Sequence, residues 1–493
     1  YNLDFSFFRI YDDEGEPLRT ENWFQWSDRG AEAGDPIFII GNPGTTNRLQ
    51  TVAQLEFRRE IGDAHVLRFV RDRAEVLEEF IDAFPAEAEE LDLRNLAFSL
   101  RNQEKAMQGQ IDGLEDPAII ARRMASQREF QDSIQADPEL GEEYGDLFER
   151  MRDLQDQKEE YAPGFGAFLA LGSDDLASPT LHRGLIAFQL LGAQRGGASS
   201  SQLQGLMDQM RAVPDRPATL DQMLIEARLR DFIEYYGEDS DLVTGILQGR
   251  TVEGAAASIH DRSALSDSAS AVQAAERGGL DPQDPAVGFV QGYLRAYGEF
   301  VQGWQGITQQ EEDIERLIGR ARYEVYGTTQ PPDATFSLRI ADGVVTGYDY
   351  NGTTAPAHTT FYGLYDRYYS FRNAYDPPAE SPWELPERWL EPPAGFDLAT
   401  PLDFVSTADI IGGNSGSPVV NAYLQVVGLV FDGNIESLPG DYIYLPELNR
   451  SVAVDARGIL EALDDMYDMD RLVHELETGQ LVETEAEADQ LRR

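Results

Sequence analysis

Hydrophobic and polar positions follow two different periods along the chain. In the first region, short apolar runs at Phe5–Tyr11 and Pro36–Gly41 alternate with the turn sequences DDEGEP and GNPGTTN. Apolar runs separated by turn signals predict β-strands, including one close to the start of the chain. In HVLRFVRDRAEVLEEFIDAF the apolar residues recur at spacings of three, four and seven, which predicts an amphipathic helix.

The helical period continues through a long central region that includes LRNLAFSLRNQEKAMQGQIDGL and ATLDQMLIEARLRDFIEYYG. The β-pattern returns after TTQPPDAT, in FSLRIADGVVTGYDYNGT, and helical sequence resumes near Val454. We therefore predict an α+β protein in which a β-domain is interrupted by a helical insertion. The predicted boundaries are residues 1–59 for the first β-region, 60–328 for the insertion, and 329–493 for the second β-region with its C-terminal helices.

Composition and charge limit the possible functions. The chain has 493 residues, 42% of them hydrophobic, and can bury several domain-sized cores. Its 40 basic and 88 acidic side chains give a net charge of −48, which argues against a nucleic-acid or anionic-membrane partner. No apolar run approaches the roughly 18 residues that a membrane span needs. We predict no cofactor and no metal site, because cysteine is absent and the carboxylate runs lack calcium-loop spacing.

The sequence GGNSGSP carries the strongest candidate chemistry. Acyl transfer at a serine needs an exposed hydroxyl, a base, and backbone N–H groups directed at the developing oxyanion. Gly413 and Gly416 leave the backbone uncrowded around Ser415, so the N–H groups of Gly413 and Ser415 can form an oxyanion hole. The alternative is an ordinary glycine-rich turn, for which this composition is also typical.

The longer sequence GGNSGSPVVN, followed by VVGLVFDGN, resembles the nucleophile turn of chymotrypsin-like serine peptidases, whose motif reads GDSGGP. Together with DFSFFRIY, IIGNPGTTNRL and TTFYGLYDRYYSF, it is similar to the bacterial dipeptidyl-peptidase 7 and 11 group, serine peptidase family 46. The resemblance implies a chymotrypsin-like double β-barrel interrupted by a large α-helical domain. Residues 1–59 would then be the C-terminal part of an incomplete first barrel, 60–328 the helical cap, and 329–493 the second barrel.

The resemblance also implies the catalytic residues. It makes Ser415 the nucleophile and Asp4 the residue that orients the base. The base of a chymotrypsin-like triad is a histidine that precedes the aspartate. All five histidines of the chain follow Asp4: His65, His182, His260, His358 and His474. We therefore expect the chain to be a fragment whose catalytic histidine lies upstream of Tyr1. The order Asp4, His65, Ser415 would match subtilisin, but His65 begins a helical pattern, which argues against it.

An enzyme that releases dipeptides must hold the free amine of its substrate about two residues from the scissile bond. By resemblance Asp432 in FDGN is this amine anchor, although Asp-Gly is also a common hairpin turn. Asn102 in the helical region is the best match to a second residue at the amine. Gly433 lines the pocket for the residue before the scissile bond, where an Arg would select Asp and Glu, so we expect a preference for bulky apolar residues.

The expected function is therefore a serine exopeptidase that acts on peptides with a free N-terminus. Because position 414 is Asn rather than Asp, we expect no activation by an ion pair with a cleaved N-terminus. The family further implies a homodimer and a periplasmic or cell-envelope location. Two alternatives stay open, a trypsin-like endopeptidase that shares Ser415 and Asp4, and a non-catalytic protein that uses its helical region for binding or assembly.

Overall fold

The computed structural model describes residues 1–375 and 381–492, and the chain divides into two compact units. One unit, here called the sheet unit, joins Tyr1–Leu49 to Pro331–Arg493. The other, here called the helical unit, is Gln50–Gln330. The insertion therefore begins earlier than the predicted residue 60. Every described helix falls short of the combined length and apolarity that a membrane span requires.

Ten strands lie in the described part of the sheet unit: β1 Gln25–Trp26, β2 Pro36–Gly41, β3 Arg339–Val344, β4 Tyr348–Tyr350, β5 Thr353–Ala355, β6 His358–Thr360, β7 Pro401–Ser406, β8 Pro418–Asn421, β9 Gln425–Gly433 and β10 Ser451–Asp455. Seven of them follow the order β3-β2-β8-β9-β10-β7-β6, and every pairing along this path is antiparallel. Strand β1 pairs with β9 in parallel, and β4 and β5 form a separate two-stranded sheet.

The main sheet does not form a closed barrel in the described residues, because its path ends at β3 and β6. An isolated bridge between Val345 and Ser406 nevertheless brings the end of β3 to β7. Two further backbone hydrogen bonds support this approach, from Thr346 N to Val405 O at 3.1 Å and from Thr407 N to Val344 O at 3.1 Å. The sheet is therefore curved strongly enough for the end of β3 to form backbone hydrogen bonds with the end of β7.

The structure differs from the prediction of a separate, incomplete first barrel. Strand β2 pairs with β3 and β8, so this part of residues 1–59 lies within the same sheet as the second β-region. The sequence can indicate a strand by its apolar alternation, but it does not identify the neighbouring strand.

The strand predicted at Phe5–Tyr11 is absent from the described structure, where the first ten residues are neither helix nor strand. Leu3 and Phe5 pack against buried residues near the last helices, whereas Phe8 is 88% exposed. Apolar composition alone was misleading here, because a strand also requires a free sheet edge with which to pair.

One core of the sheet unit is built around β2, and separate clusters bury other residues of β7 and β10 against the helices of this unit. Ile37 and Ile39 alternate on β2 and are 0% and 1% exposed. They pack in one buried cluster with Phe404, Val419 and further small apolar residues of β8, β9 and β10. Inward residues at every second position are the reason that these segments form strands rather than helices.

The described residues of the sheet unit include four α-helices: α16 Phe361–Phe371, α17 Ala456–Glu461, α18 Asp470–Thr478 and α19 Glu485–Arg492. The helical unit contains the fifteen others: α1 Val52–Phe57, α2 Asp63–Ala83, α3 Pro85–Glu90, α4 Leu93–Glu115, α5 Pro117–Ala136, α6 Pro138–Tyr144, α7 Leu147–Glu159, α8 Ala162–Ala167, α9 Pro179–Arg195, α10 Ser200–Ala212, α11 Ala218–Tyr236, α12 Asp241–Leu247, α13 Val252–Arg262, α14 Ser268–Glu276 and α15 Pro285–Tyr326. A π-helical turn at Arg58–Gly62 connects α1 to α2.

A buried charge cluster stabilises the helical unit. The carboxylate of Asp231 on α11 forms ion pairs with two arginines, Arg73 on α2 and Arg228 on its own helix. All three side chains are at most 6% exposed. Arg228 also donates to the carbonyls of Ala167 and Leu169 at 2.7 and 2.6 Å. Burial lowers the pKa of Arg228 to about 10, yet the Asp231 carboxylate and these carbonyls keep it charged at neutral pH.

His65 makes the stability of the helical unit depend on pH. Its ring lies 4.6 Å from the Tyr235 ring centroid and 6.3 Å from that of Phe165, and its Nδ1 is buried with no hydrogen-bond partner in the described residues. Burial, assisted by Arg68, lowers the pKa of His65 below its usual value of 6.5. The unfolded chain therefore binds this proton more readily, and stability should fall as the pH decreases below 6.5.

We predict that His65→Phe, which keeps an aromatic ring in the stack, reduces the stability lost between pH 7.5 and pH 5.5. Urea unfolding at both pH values measures the difference. Tyr235→Phe is the matched control and should keep the full pH dependence, because the Tyr235 hydroxyl does not titrate in this range. An unchanged pH dependence in His65→Phe would contradict the assignment.

Candidate active site

The loop that carries Ser415 connects β7 to β8 and is fixed against β9. Gly416 donates its N–H to Val430 O at 2.8 Å, and Val430 donates back to Ser417 O at 3.1 Å. Ser415 is exposed, and its Oγ donates to Phe431 O at 3.4 Å. The hydroxyl is thus both accessible to a substrate and held at a defined position beside β9.

The backbone N–H groups of this loop fall into two sets. Those of Asn414, Gly416 and Ser417 donate to carbonyls within the loop or on β9. Those of Gly412, Gly413 and Ser415 have no acceptor among the described residues. Gly413 has a φ of 103°, a conformation that favours glycine, and this turn leaves the N–H groups of Gly413 and Ser415 on either side of Asn414. An oxyanion hole needs two such N–H groups, and the assignment of Gly413 and Ser415 to one stays a prediction.

Asn414 is buried between the loop that carries Ser415 and the end of β2. It is 4% exposed and donates its Nδ2 to Ile411 O at 3.0 Å. A Cβ at Gly41, the last residue of β2, would lie 2.5 Å from Asn414 Oδ1 and 2.2 Å from Ser417 Oγ. The close packing of the loop on β2 therefore requires glycine at position 41.

Arg48 links Asp409, which precedes the loop that carries Ser415, to Gly440, which follows β9. Its guanidinium binds the Asp409 carboxylate with both terminal nitrogens, Nη2 lying 2.8 Å from Oδ1. The same group donates to Gly440 O from Nε at 2.9 Å and from Nη2 at 2.7 Å. Burial opposes the charge, but the Asp409 carboxylate outweighs it and raises the pKa of Arg48.

Asp333 holds the backbone on which Arg48 is carried. Its carboxylate accepts the N–H of Arg48 at 2.8 Å, the N–H of Leu49 at 3.1 Å and the hydroxyl of Thr46 at 2.6 Å. The sequence analysis missed both Arg48 and Asp333. The pair Arg48 and Asp409 is 361 residues apart in the chain, and no local pattern links them.

Phe336 was also missed, because the sequence indicates only an ordinary strand residue there. It has a φ of 60°, which costs a residue other than glycine about 1–2 kcal/mol. Its N–H donates to Pro43 O at 2.9 Å, and its carbonyl accepts Asn42 Nδ2 at 3.2 Å. The ring is 64% exposed, and its Cε2 would lie 3.2 Å from a Cβ added to Gly413.

Asp432 and Gly433, at the end of β9, follow the residue that accepts the Ser415 hydrogen bond. Ser415 therefore contacts the residue that precedes Asp432 and Gly433 in the chain. Asp432 is exposed, and its Oδ1 accepts the N–H of Gly433 at 2.8 Å. A Cβ at Gly433 would lie 2.4 Å from Ser437 Oγ, so the direction of this side chain is occupied rather than open.

The structure does not bring Asp4 into contact with Ser415 in its described part. Asp4 is exposed between the packed residues Leu3 and Phe5, two residues after the Asn2 N–H that donates to Asp403 on β7 at 3.3 Å. Asn102 is exposed on α4 and belongs to the helical unit.

The five histidines make their contacts elsewhere. His358 Nε2 lies 2.9 Å from Ala31 O, and His474 is buried on α18. The other three lie in the helical unit, against aromatic rings or carboxylates: His65, His182 and His260. Within residues 1–375 and 381–492, no group of three or more potential metal ligands is found.

Comparison with known proteins gives a consistent set of relatives. The sequence profile described as Peptidase S46 matches residues 1–478. The Asp/Glu-specific dipeptidyl-peptidase of Capnocytophaga gingivalis is 24% identical over 509 residues, which cover 96% of this chain and 69% of that protein. Dipeptidyl-peptidase 7 of the same organism is 22% identical, with 96% and 68% covered. The structure of Porphyromonas endodontalis DPP11 with the dipeptide Arg-Asp has a TM-score of 0.75 at 20% identity, covering 95% and 68%, and shows the likeness of fold.

We predict that Arg48→Ala lowers the unfolding free energy of the sheet unit by about 1.5–3 kcal/mol, because it removes hydrogen bonds made by a charged group. Arg48→Lys should be intermediate, since an ammonium cannot bind Asp409 and Gly440 with a planar fork. Urea unfolding measures stability, and hydrogen exchange of residues 410–416 reports the nucleophile loop.

The matched control is Arg9→Ala, which removes a pair with Glu475 in the same unit in which the arginine is more exposed than Arg48. It should cost less than about 1 kcal/mol and leave exchange in the nucleophile loop unchanged. Equal protection of residues 410–416 in Arg48→Ala and the unmodified protein would show that Arg48 does not position this loop.

Proposed function

The chain belongs to the peptidase S46 family and is a serine-type dipeptidyl-peptidase, and from this premise we propose that Ser415 is its nucleophile. The observation that carries the proposal is the combination, in one loop, of an exposed serine hydroxyl and two N–H groups without acceptors in the described residues. Ser415 attacks the scissile carbonyl, and the N–H groups of Gly413 and Ser415 bind the oxyanion that forms. We propose that Asp4 orients the base that accepts the Ser415 proton.

We further propose that Asp432 limits the reaction to dipeptide release. Its exposed carboxylate follows Phe431, whose carbonyl contacts the nucleophile, so it lies on the β9 side of Ser415. A carboxylate there can pair with the free ammonium of a substrate and fix how far the chain enters. Asn102 of the helical unit is proposed as the second group at the amine, on the sequence resemblance alone.

The proposed preference before the scissile bond is for bulky apolar residues. The relatives carry both names, Asp/Glu-specific dipeptidyl-peptidase and dipeptidyl-peptidase 7, so the preference rests on this chain's own residues. Gly433 offers no charge. The nearby Arg450 is 5% exposed, and its guanidinium donates to backbone carbonyls, including Gly347 O at 2.9 Å and Asn449 O at 2.7 Å. This arginine is therefore already paired and is not available to a substrate carboxylate.

In a form of the protein that includes the histidine base, Ser415→Ala should lower kcat/KM for chromogenic dipeptidyl substrates by at least about 10⁴, because removal of the nucleophile leaves only binding and the oxyanion hole. Ser201→Ala, an exposed serine on α10, is the control and should leave the rate unchanged.

Asp432→Ala should slow turnover of free-amine substrates by tenfold or more, since it removes a charge-assisted partner worth about 1.5–3 kcal/mol.

N-acetylated substrates distinguish this proposal from a trypsin-like endopeptidase. The unmodified protein should not cleave them. Cleavage of blocked peptides as fast as free ones, or turnover that survives Ser415→Ala, would contradict the proposed function.

The substrate preference is tested at position 433. Gly433→Arg combined with Ser437→Ala, which removes the hydroxyl that a side chain at 433 would meet, should shift cleavage from Leu and Phe toward Asp and Glu. Gly433→Ala with Ser437→Ala controls for added bulk and should create no acidic preference. Preference for Asp or Glu in the unmodified protein would overturn this interpretation of Gly433.

A further inference from the structure

Phe336 has no part in the chemistry assigned above, yet it lies against the oxyanion-hole residue. Its ring carbon Cε2 would be 3.2 Å from a Cβ on Gly413, and most of the ring is exposed. A single exposed aromatic residue is common on protein surfaces and needs no explanation. Phe336 differs because its backbone is held in a conformation that phenylalanine rarely adopts.

The surrounding chain imposes this conformation. Phe336 donates its N–H to Pro43 O and receives Asn42 Nδ2 at its carbonyl, so both backbone groups bind the turn that follows β2. The same turn contacts the nucleophile loop, since Gly44 donates its N–H to Gly412 O at 2.7 Å. Three chain segments therefore fix the ring next to Gly413, and strain of this kind is concentrated at functional sites.

The position of the ring relative to Ser415 indicates which part of a substrate it meets. The proposed amine anchor Asp432 lies on the β9 side of Ser415, because Ser415 Oγ donates to the carbonyl of the residue before it. Phe336 lies instead at Gly413, on the side of the loop that meets the turn after β2. A peptide whose N-terminal two residues occupy the Asp432 side must continue past Ser415 toward Phe336.

We propose that Phe336 forms a subsite for the leaving group, which binds an apolar or aromatic residue directly after the scissile bond. The inference rests on the proposed function, since it takes Ser415 as the nucleophile. An exposed aromatic face buries apolar substrate surface and stacks on a second ring, whereas a glycine at that substrate position makes neither contact.

Peptides of three or more residues with a constant N-terminal dipeptide test the proposal, with Gly, Ala, Leu or Phe after the scissile bond. The unmodified protein should cleave the Leu and Phe peptides with a higher kcat/KM than the Gly peptide. Phe336→Ala should reduce this ratio about tenfold, leave the Gly peptide within about twofold, and leave the methyl ester of the same dipeptide unchanged.

Three further variants separate the ring from the backbone. Phe336→Asn, which tolerates the left-handed conformation but has no ring, should lose the preference as Phe336→Ala does. Phe336→Tyr should restore it. Leu338→Ala removes another exposed apolar side chain of the same segment and should have no effect. Retention of the preference in Phe336→Asn would assign the effect to the backbone and overturn the subsite.

Acyl transfer gives an independent measurement. An added amine attacks the Ser415 ester carbonyl, the ester C–O bond breaks, a new amide bond forms, and the proton lost by the amine returns to the serine oxygen through the base. Phenylalanine amide should compete with water better than glycine amide, and Phe336→Ala should remove this advantage.

The outcomes distinguish the two proposals. In a form of the protein that includes the histidine base, absence of Ser415-dependent turnover on every dipeptidyl substrate would overturn the proposed function and the subsite with it. Normal turnover with equal discrimination in Phe336→Ala and the unmodified protein would overturn the subsite alone.

Discussion

The pairing of β2 with β3 and β8 is the constraint on which the candidate active site depends. Strand β2 lies between these two strands, and its last residue, Gly41, packs under the nucleophile loop. The turn that follows it binds Phe336 and Gly412, and Arg48 then reaches Asp409 and Gly440. Displacing β2 would therefore disturb the loop that carries Ser415 and the neighbouring ring of Phe336 at the same time.

The sequence predicted the features that local patterns encode. The helical period marked the insertion, as the described structure shows. The oxyanion hole predicted from the glycines around Ser415 stays a prediction. The strand predicted at Phe5–Tyr11 was wrong, because apolar alternation does not ensure a partner strand. The β-character of Pro36–Gly41 was confirmed, but its neighbours in the sheet were not predicted.

The residues that sequence reasoning missed share one physical property, which is that they act over long separations in the chain. Arg48 and Asp409 form a bidentate pair only after the sheet is assembled. Phe336 acquires its left-handed conformation from hydrogen bonds to the distant Asn42 and Pro43. Tertiary contacts of this kind override local propensity and leave no periodic signal in the sequence.

Asp333 has a consequence for how the helical unit is joined to the sheet unit. Its carboxylate binds the N–H groups of Arg48 and Leu49, so the points where the chain leaves and re-enters the sheet unit lie side by side. An insertion whose two ends meet can be lengthened, shortened or exchanged while the host fold keeps its geometry. The loop-closure entropy of such an insertion also grows only slowly with its length. The length of the helical unit can therefore change between proteins with little effect on the fold of the sheet unit that carries Ser415.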